Sequence, residues 1–252
     1  MNNLSYNGQS LNEKGFAIKT YPKYKIAERD IDFESIIGLN GDVITDNMRF
    51  KNVEMTYEIN SIPYLTPYKN PQDVIRDLAN WLVSDGKYKI LRDDYNEGYF
   101  CKAVCTSIGE ISNVLSKYID TVLTFSREPF WYSDEGQKIR TFIRGDFFDI
   151  LNPEQFTSEP LITIYGNGTF KLIVNGNIYE VTIPSSVKSI TLDTERQSAF
   201  LGDRFSSQNG NKYISFDYMP IFIPGTNTIK LISTDSAYTF EKMEITPRWR
   251  RL

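Results

Sequence analysis

The sequence contains no histidine among its 252 residues. Histidine is the usual general base near neutral pH and the commonest metal ligand in proteins. Its absence excludes Ser-His-Asp triads and three-histidine zinc sites. Paired carboxylates are the remaining acid–base option, and the candidates Asp93 and Asp94 lie in a polar turn without a cleft signature. We therefore predict that the chain is not an enzyme and holds no cofactor and no metal.

Cysteine is nearly absent as well, because the chain has only Cys101 and Cys105. Both lie in FCKAVCTSI, whose alternation predicts a strand. Four residues at about 3.3 Å each would hold their Cα atoms about 13 Å apart, too far for a disulfide. A zinc site would need further ligands from residues other than cysteine and histidine. We predict two free, buried thiols.

Long apolar runs and a basic excess are also missing. The start, MNNLSYNGQSLNEKG, lacks the features of a signal peptide, and no stretch is apolar enough to span a bilayer. These observations predict no membrane insertion. The formal net charge of −4 and the pI near 5.1 provide no basic field for phosphates. We therefore expect no specific nucleic-acid binding.

Aromatic residues are abundant instead, with 16 Tyr and 16 Phe. In VEMTYEIN, apolar and polar residues alternate, which predicts a half-buried strand. A single helix is predicted over about 71–84, with Asn70 as N-cap and Pro71 at the first helical position. Its apolar residues recur at spacings of three and four: Val74, Ile75, Leu78, Trp81 and Leu82. A polar turn follows from Asp93 to Gly98; it lacks the calcium-loop spacing and is interpreted as a plain turn.

The stretch SREPFWY, residues 126–132, follows a strand-like run, and periodicity weakens after it. We place a domain boundary here, with domains at 1–134 and 135–252. Rigid aromatic side chains bury a large area at low entropic cost. Pro129, Phe130 and Trp131 are therefore predicted to form domain-junction or inter-subunit contacts, together with Arg127, which is expected to pair with a carboxylate.

The second half reads as a β-sandwich of short strands. Asn175-Gly176 predicts a two-residue hairpin turn, because both positions need a positive φ. The resulting register places Leu172 opposite Tyr179, Phe170 opposite Val181 and Lys171 opposite Glu180. A second Asn-Gly, at 167–168, predicts another hairpin that sets Tyr165 opposite Phe170.

The C-terminal tail, residues 246–252, contains Arg248, Trp249 and Arg250. We predict that it returns to the N-terminal domain or to a neighbouring subunit. The alternative is that Trp131 and Trp249 each close an edge of their own sandwich, and both interpretations stay open.

Nine stretches in order resemble the distal tail proteins (Dit) of long-tailed siphovirus phages that infect Gram-positive bacteria. In the first half they are LSYNGQSLNEKGFAI, RDIDFESIIGLNGDV, VEMTYEIN, PQDVIRDLANWL and SREPFWY. In the second half they are PLITIYGNGTFKLIVNG, ITLDTERQSAF, IPGTNTIKL and EITPRWRRL. Together they cover nearly the whole chain.

This resemblance implies a mainly β chain: a ring-forming, sandwich or split-barrel-like N-terminal domain with one helix, then a galectin-like or carbohydrate-module-like sandwich. It implies a hexameric ring, or two stacked hexamers, at the distal end of the virion tail, assembled in the host cytoplasm. The implied partners are further copies of the chain, the tail tube protein, the tail-associated lysin or tip protein, and receptor-binding or baseplate proteins. DNA would pass through the ring, and an acidic chain suits such a conduit.

The alternative function is a carbohydrate-binding module or adhesin that recognises a host cell-wall saccharide. Sugar sites commonly stack a sugar on an exposed aromatic ring. Tyr213, Phe216 and Tyr218 offer such a platform, although a strand face in KYISFDYMPIF accounts for them as well. Residues 160–246 contain no Trp and no His, so the galectin sugar-binding pattern is not found there.

Overall fold

The computed structural model describes residues 2–62, 71–110, 112–114, 118–143, 147–206, 208–234 and 238–252. Within these residues the chain is mainly β and contains one α-helix, which confirms the predicted fold class. The chain divides into two compact units, Met1–Trp131 with Leu252, and Tyr132–Arg251. The division falls inside the stretch SREPFWY.

The first unit is built around one antiparallel sheet. Its elements are β1 (Leu4–Tyr6), β2 (Gln9–Ser10), β3 (Phe16–Ile18), β4 (Arg29–Glu34), β5 (Val43–Phe50), β6 (Val53–Ser61), α1 (Pro71–Leu82), β7 (Lys89–Asp93), β8 (Tyr99–Ile108), β9 (Ser112–Val114) and β10 (Tyr118–Ser133). The sheet has the order β2-β1-β7-β8-β10-β6-β3, with β9 paired to β10, while β4 and β5 form a separate hairpin. The core of this unit lies between the sheet and α1 and includes Tyr57, Leu78 and Phe125.

Strand β6 shows the predicted alternation, because Val53, Met55, Tyr57 and Ile59 are buried and Glu54 and Glu58 are exposed. Cys101 and Cys105 lie on β8, both buried and unpaired, as predicted. These two strands provide much of the apolar face on which the rest of the unit packs.

Helix α1 buries Val74, Leu78, Trp81 and Leu82, as predicted. The prediction for Ile75 is wrong, since its side chain is 42% exposed. At 100° per residue, Ile75 falls just outside the stripe that the other four residues define. The helix ends at Leu82, with one further helical hydrogen bond from the Val83 nitrogen to the Ala79 oxygen. The proposed N-cap, Asn70, lies outside the described residues.

The second unit contains β11 (Arg140–Phe142), β12 (Phe148–Asn152), β13 (Leu161–Val174), β14 (Asn177–Ile183), β15 (Ser189–Asp193), β16 (Ser198–Leu201), β17 (Gln208–Asn209), β18 (Ile214–Ser215), β19 (Gly225–Ser233), β20 (Thr239–Thr246) and β21 (Arg250–Arg251). Short 3₁₀ helices span Glu135–Gln137 and Asn211–Tyr213. One row of paired strands runs β11-β20-β13-β15-β16-β17, and the other runs β12-β19-β13-β14-β18. The long strand β13 belongs to both rows, and the core of this unit lies along it.

The hairpin at Asn175 and Gly176 is confirmed. The two residues have φ of 51° and 85°, and the register pairs the residues that the sequence predicted: Leu172 with Tyr179, Phe170 with Val181 and Lys171 with Glu180.

The second predicted hairpin, at Asn167 and Gly168, is wrong. Strand β13 continues through both residues, and Tyr165 pairs with Ser189 and Lys242 instead of Phe170. The register shifts between Tyr165 and Gly166. A Cβ atom on Gly166 would lie 2.0 Å from the Thr239 oxygen, so this glycine permits a close approach of two backbones. The bulge bends β13, which lets one strand serve both rows.

Candidate functional site

The turn that carries Asp93 and Asp94 is built around a buried carboxylate. Asp93 accepts hydrogen bonds from the backbone nitrogens of Tyr95 (3.1 Å) and Asn96 (3.0 Å). It also accepts from the hydroxyls of Tyr57 (2.5 Å) and Tyr24 (2.9 Å). Burial raises the pKa of Tyr57 well above its ordinary value, and the neighbouring Asp93 raises it further. Asp93 therefore fixes the turn and joins it to the core of the first unit.

Asp94 accepts a hydrogen bond from the backbone nitrogen of Asn3, at 2.8 Å. In the described parts of the chain, no cluster of three or more acidic or cysteine side chains is placed to hold a metal ion. Nor is any described helix long and apolar enough to cross a membrane.

The first group of predicted site residues lies at the end of β10. Arg127 is 2% exposed. Its guanidinium donates to three carbonyl oxygens, those of Glu128 (2.9 Å), Pro129 (2.7 Å) and Lys25 (3.1 Å). Desolvation by burial lowers its pKa. The guanidinium also lies 5.2 Å from the ring centre of Trp131. Arg127 thus binds the chain around it through backbone oxygens.

The neighbouring rings also have partners within the first unit. Phe130 packs edge-on against Phe50 at 5.7 Å, and Trp131 packs edge-on against Tyr24 at 6.1 Å. Trp131 belongs to the core of that unit. The predicted junction or inter-subunit role of Arg127, Pro129, Phe130 and Trp131 stays a prediction.

The second group, in the C-terminal tail, is placed within the second unit. Trp249 is fully buried, 5.8 Å from Phe222, with the guanidinium of Arg140 5.7 Å from its ring centre. Arg248 has a φ of 56° and donates to Asp193 at 2.6 Å. Arg250 forms an ion pair with Glu159 at 2.7 Å and donates to the Thr157 oxygen. The inter-subunit role predicted for these three residues likewise stays a prediction.

The residues proposed as a sugar platform differ in exposure. Tyr218 is 82% exposed, whereas Tyr213 and Phe216 are half-buried against the core of the second unit. Phe216 packs edge-on against Tyr179 at 5.2 Å. Of the three rings, Tyr218 alone is as exposed as sugar stacking requires.

The most prominent apolar surface was not predicted from the sequence. It is the tip of the β4–β5 hairpin, which we call the hairpin tip and define as residues 35–42. Ile37 is fully exposed, and Ile36 and Leu39 are exposed by 51% and 55%. Hydrogen bonds shape the tip, from the Leu39 nitrogen to the Ile36 oxygen and from the Ser35 hydroxyl to Asp42.

The two strands behind the tip extend this apolar surface. Phe33 and Ile44 are each 61% exposed, and Met48 is 81% exposed. Contiguous exposed apolar patches are a common feature of protein interaction sites. The signal in the sequence was the run of apolar residues in a glycine-flanked turn, SIIGLNGD, where a plain turn would be polar.

The structure therefore defines a mainly β chain of two compact units. Large apolar side chains are exposed on its β4–β5 hairpin, and both cysteines are free and buried. Its fold is that of a known class of phage protein. The chain superposes on SPP1 Dit (gp 19.1), which is presented as a paradigm of the hub adsorption apparatus in phages that infect Gram-positive bacteria. The TM-score is 0.69 at 11% identity, and the match covers 100% of both chains. No family model and no curated protein matches this chain by sequence.

Proposed function

We propose that the protein is a structural hub at the distal end of a phage tail. The observation that carries this proposal is the fold likeness to SPP1 Dit, which extends over the full length of both chains. The order of the sequence motifs supports the same conclusion. The chain is accordingly proposed to be a non-enzymatic component of the virion, assembled in the host cell.

The proposed hub is a ring of identical subunits, six in number as the resemblance implies. The hairpin tip supports self-association, because Ile36, Ile37 and Leu39 would leave water on contact with another subunit. A surface that binds a different patch on the next copy makes a head-to-tail contact, and such contacts form rings when the rotation closes. The ring would join the tail tube to the tip protein or lysin and would carry receptor-binding or baseplate proteins.

The charge of the chain agrees with a channel for DNA. With a net charge of −4, the protein has no overall attraction for phosphates. A conduit for a genome has to release DNA and not retain it, so an acidic subunit is suited to the role.

Light scattering on the purified full-length protein tests the proposal. The expected result is a particle mass of six or twelve times the 29.1 kDa of one chain. The double variant Ile37→Ser/Leu39→Ser should shift the protein toward monomer, since both side chains are exposed and their loss spares the core. The matched control is Ile178→Ser, a change of an isoleucine in the second unit that is about as exposed (58%) as Leu39 (55%). A strict monomer at all concentrations, for the unmodified chain, would contradict the ring.

The alternative function, recognition of a saccharide, is favoured by one observation, the 82% exposure of the Tyr218 ring. Glycan binding to cell-wall saccharides by the full chain, abolished by Tyr218→Ala, would support it. Equal binding by the variant would remove Tyr218 from consideration.

A further inference from the structure

The second unit has a cleft of about 430 Å³ at one end of its sandwich. This volume falls in the usual range for ligand sites, roughly 300 to 1,000 Å³. The cleft opens between the two rows of strands. Its walls come from β11, β12, β13, β19 and β20: Phe142, Phe148, Phe170, Leu231, Phe240 and Met243.

The aromatic walls have a defined geometry. Phe142 and Phe148 stack at 3.8 Å between ring centres. Phe170 packs edge-on against Phe240 at 6.4 Å and against Tyr238 at 6.0 Å. Stacked and edge-on contacts therefore both occur among the rings around the cleft, and these are the arrangements that an added aromatic group prefers.

The rim of the cleft is formed by lining residues that are exposed. Ile143 is 67% exposed, Tyr238 48% and Ile232 38%. A cleft with aromatic walls inside a rim of exposed apolar side chains is the kind of site that takes an anchor residue at protein-binding hot spots.

The size of this surface decides what binds there. A stable contact between globular proteins involves about 20 to 30 residues on each side, whereas ten residues line the cleft and its rim. A short segment with one large anchor residue fits such a patch, and a second folded copy of the chain does not.

The edge of the sandwich beside the cleft favours an extended segment. Strand β12 contributes Phe148 to the cleft wall and, within the described residues, pairs only with β19. Its other edge is able to receive an added strand. Leu151 on β12 and Phe147 just before it are 59% and 63% exposed, and they offer further contacts for alternate side chains of an added strand.

We propose that this cleft is a docking site for an extended segment of a partner protein, which pairs along β12 and inserts one large aromatic side chain. All of the residues concerned belong to the second unit, so the inference goes beyond the proposed ring and does not require it.

Fluorescence anisotropy with synthetic peptides and the full-length protein tests this inference. The probe is a labelled, threonine-rich peptide of seven residues with one central tryptophan. The control peptide has serine in place of that tryptophan. We expect the tryptophan peptide to bind at least about tenfold more tightly than the serine peptide. It should also bind at least about tenfold more tightly than N-acetyltryptophanamide, because only the peptide covers the rim and pairs with β12.

Two variants locate the binding. Ser233→Phe fills the cleft and Ile143→Ser removes an apolar contact at its rim, so each should weaken binding of the tryptophan peptide, with the larger loss for Ser233→Phe. Ile178→Ser is the matched control and should bind as the unmodified chain does. Urea unfolding midpoints, measured in parallel, show that each variant is folded.

Absence of binding, equal binding of the serine peptide, or undiminished binding by folded Ser233→Phe would overturn the inference. Binding of N-acetyltryptophanamide as tight as that of the peptide would also overturn it, in favour of a small-molecule site. Light scattering on the same samples measures ring formation separately. A loss of peptide binding can therefore be distinguished from a failure to form rings.

Discussion

The backbone nitrogen of Ser133 donates a hydrogen bond of 2.9 Å to the carbonyl oxygen of Trp249. A second bond runs from the Arg248 nitrogen to the Gly136 oxygen, at 2.7 Å. These bonds join the first residues of the second unit to its last ones. The tail thereby becomes part of the framework of that unit, and the fully buried Trp249 becomes part of its core.

Gly136 is the position where this framework has no spare room. A Cβ atom there would lie 2.3 Å from the Trp249 nitrogen, which belongs to the backbone and cannot move aside on its own. We expect Gly136→Ala to lower the free energy of unfolding by about 1 to 3 kcal/mol. Gly86→Ala is the control, because nothing lies within 4 Å of the added atom. Urea denaturation followed by tryptophan fluorescence measures both, and equal stability of the two variants would contradict the expectation.

The two Asn-Gly pairs show what local sequence can and cannot predict. At Asn175-Gly176 the flanking alternation and the turn chemistry agree, and the predicted register is correct. At Asn167-Gly168 the same dipeptide lies in a continuous strand, because Asn167 pairs with Thr239 and Gly168 with Ile183. Gly166 permits the close approach to Thr239. That approach depends on a residue far away in the chain, so no local pattern could reveal it.

Surface features were harder to predict than the core. The buried faces of β6 and α1 follow from their periodicity, apart from Ile75. The exposed hairpin tip and the aromatic cleft do not follow from periodicity, because periodicity assigns apolar residues such as Ile37 to a covered face whether or not another element lies over them. Exposure is decided by which strands pair, and within the described residues β4 and β5 pair only with each other.

The turn at Gly176 allows a test of backbone strain alone. Gly176 has a φ of 85°, and no atom lies within 4 Å of the position that a Cβ atom would take there. Gly176→Val should therefore cost about 1 to 2 kcal/mol through conformation and not through a clash. Gly176→Asn should cost much less, because asparagine tolerates the left-handed region. Thermal unfolding of the two variants checks this, and equal losses would mean that strain is not the cause.

The two thiols predict a loss of stability in alkali. Burial raises the pKa of Cys101 to about 12 and that of Cys105 to about 11, whereas an unfolded cysteine has a pKa of about 8.5. Above that value the unfolded chain loses its thiol protons first. The contribution of the two protonated thiols to the free energy of unfolding is therefore complete below about pH 8.5. It declines as the pH rises toward the pKa values that the thiols have in the folded chain.

Urea unfolding at pH 8 and pH 10 measures this effect. Cys101→Ala/Cys105→Ala should lose less stability between the two pH values than the unmodified chain, by up to about 1.4 kcal/mol per thiol for each pH unit. Buried tyrosines with raised pKa values also lower the stability at high pH. Because both proteins contain them, their contribution cancels in the difference between the two proteins. Parallel losses in the two proteins, or rapid labelling of both thiols in the folded chain at pH 8, would contradict the expectation.

Arg127 allows the structural and the assembly roles of the β10 end to be separated. Its buried guanidinium donates to the carbonyl oxygens of Glu128, Pro129 and Lys25 and covers Trp131. Arg127→Ala removes these donors and leaves a cavity, so we expect a loss of about 3 kcal/mol in the free energy of unfolding. Arg127→Lys keeps the charge but lacks the planar guanidinium. Its free energy of unfolding should lie between those of Arg127→Ala and the unmodified chain. If Arg127→Ala instead unfolds at the same urea concentration as the unmodified chain but lowers the particle mass in light scattering, the residue acts between subunits and not within its unit.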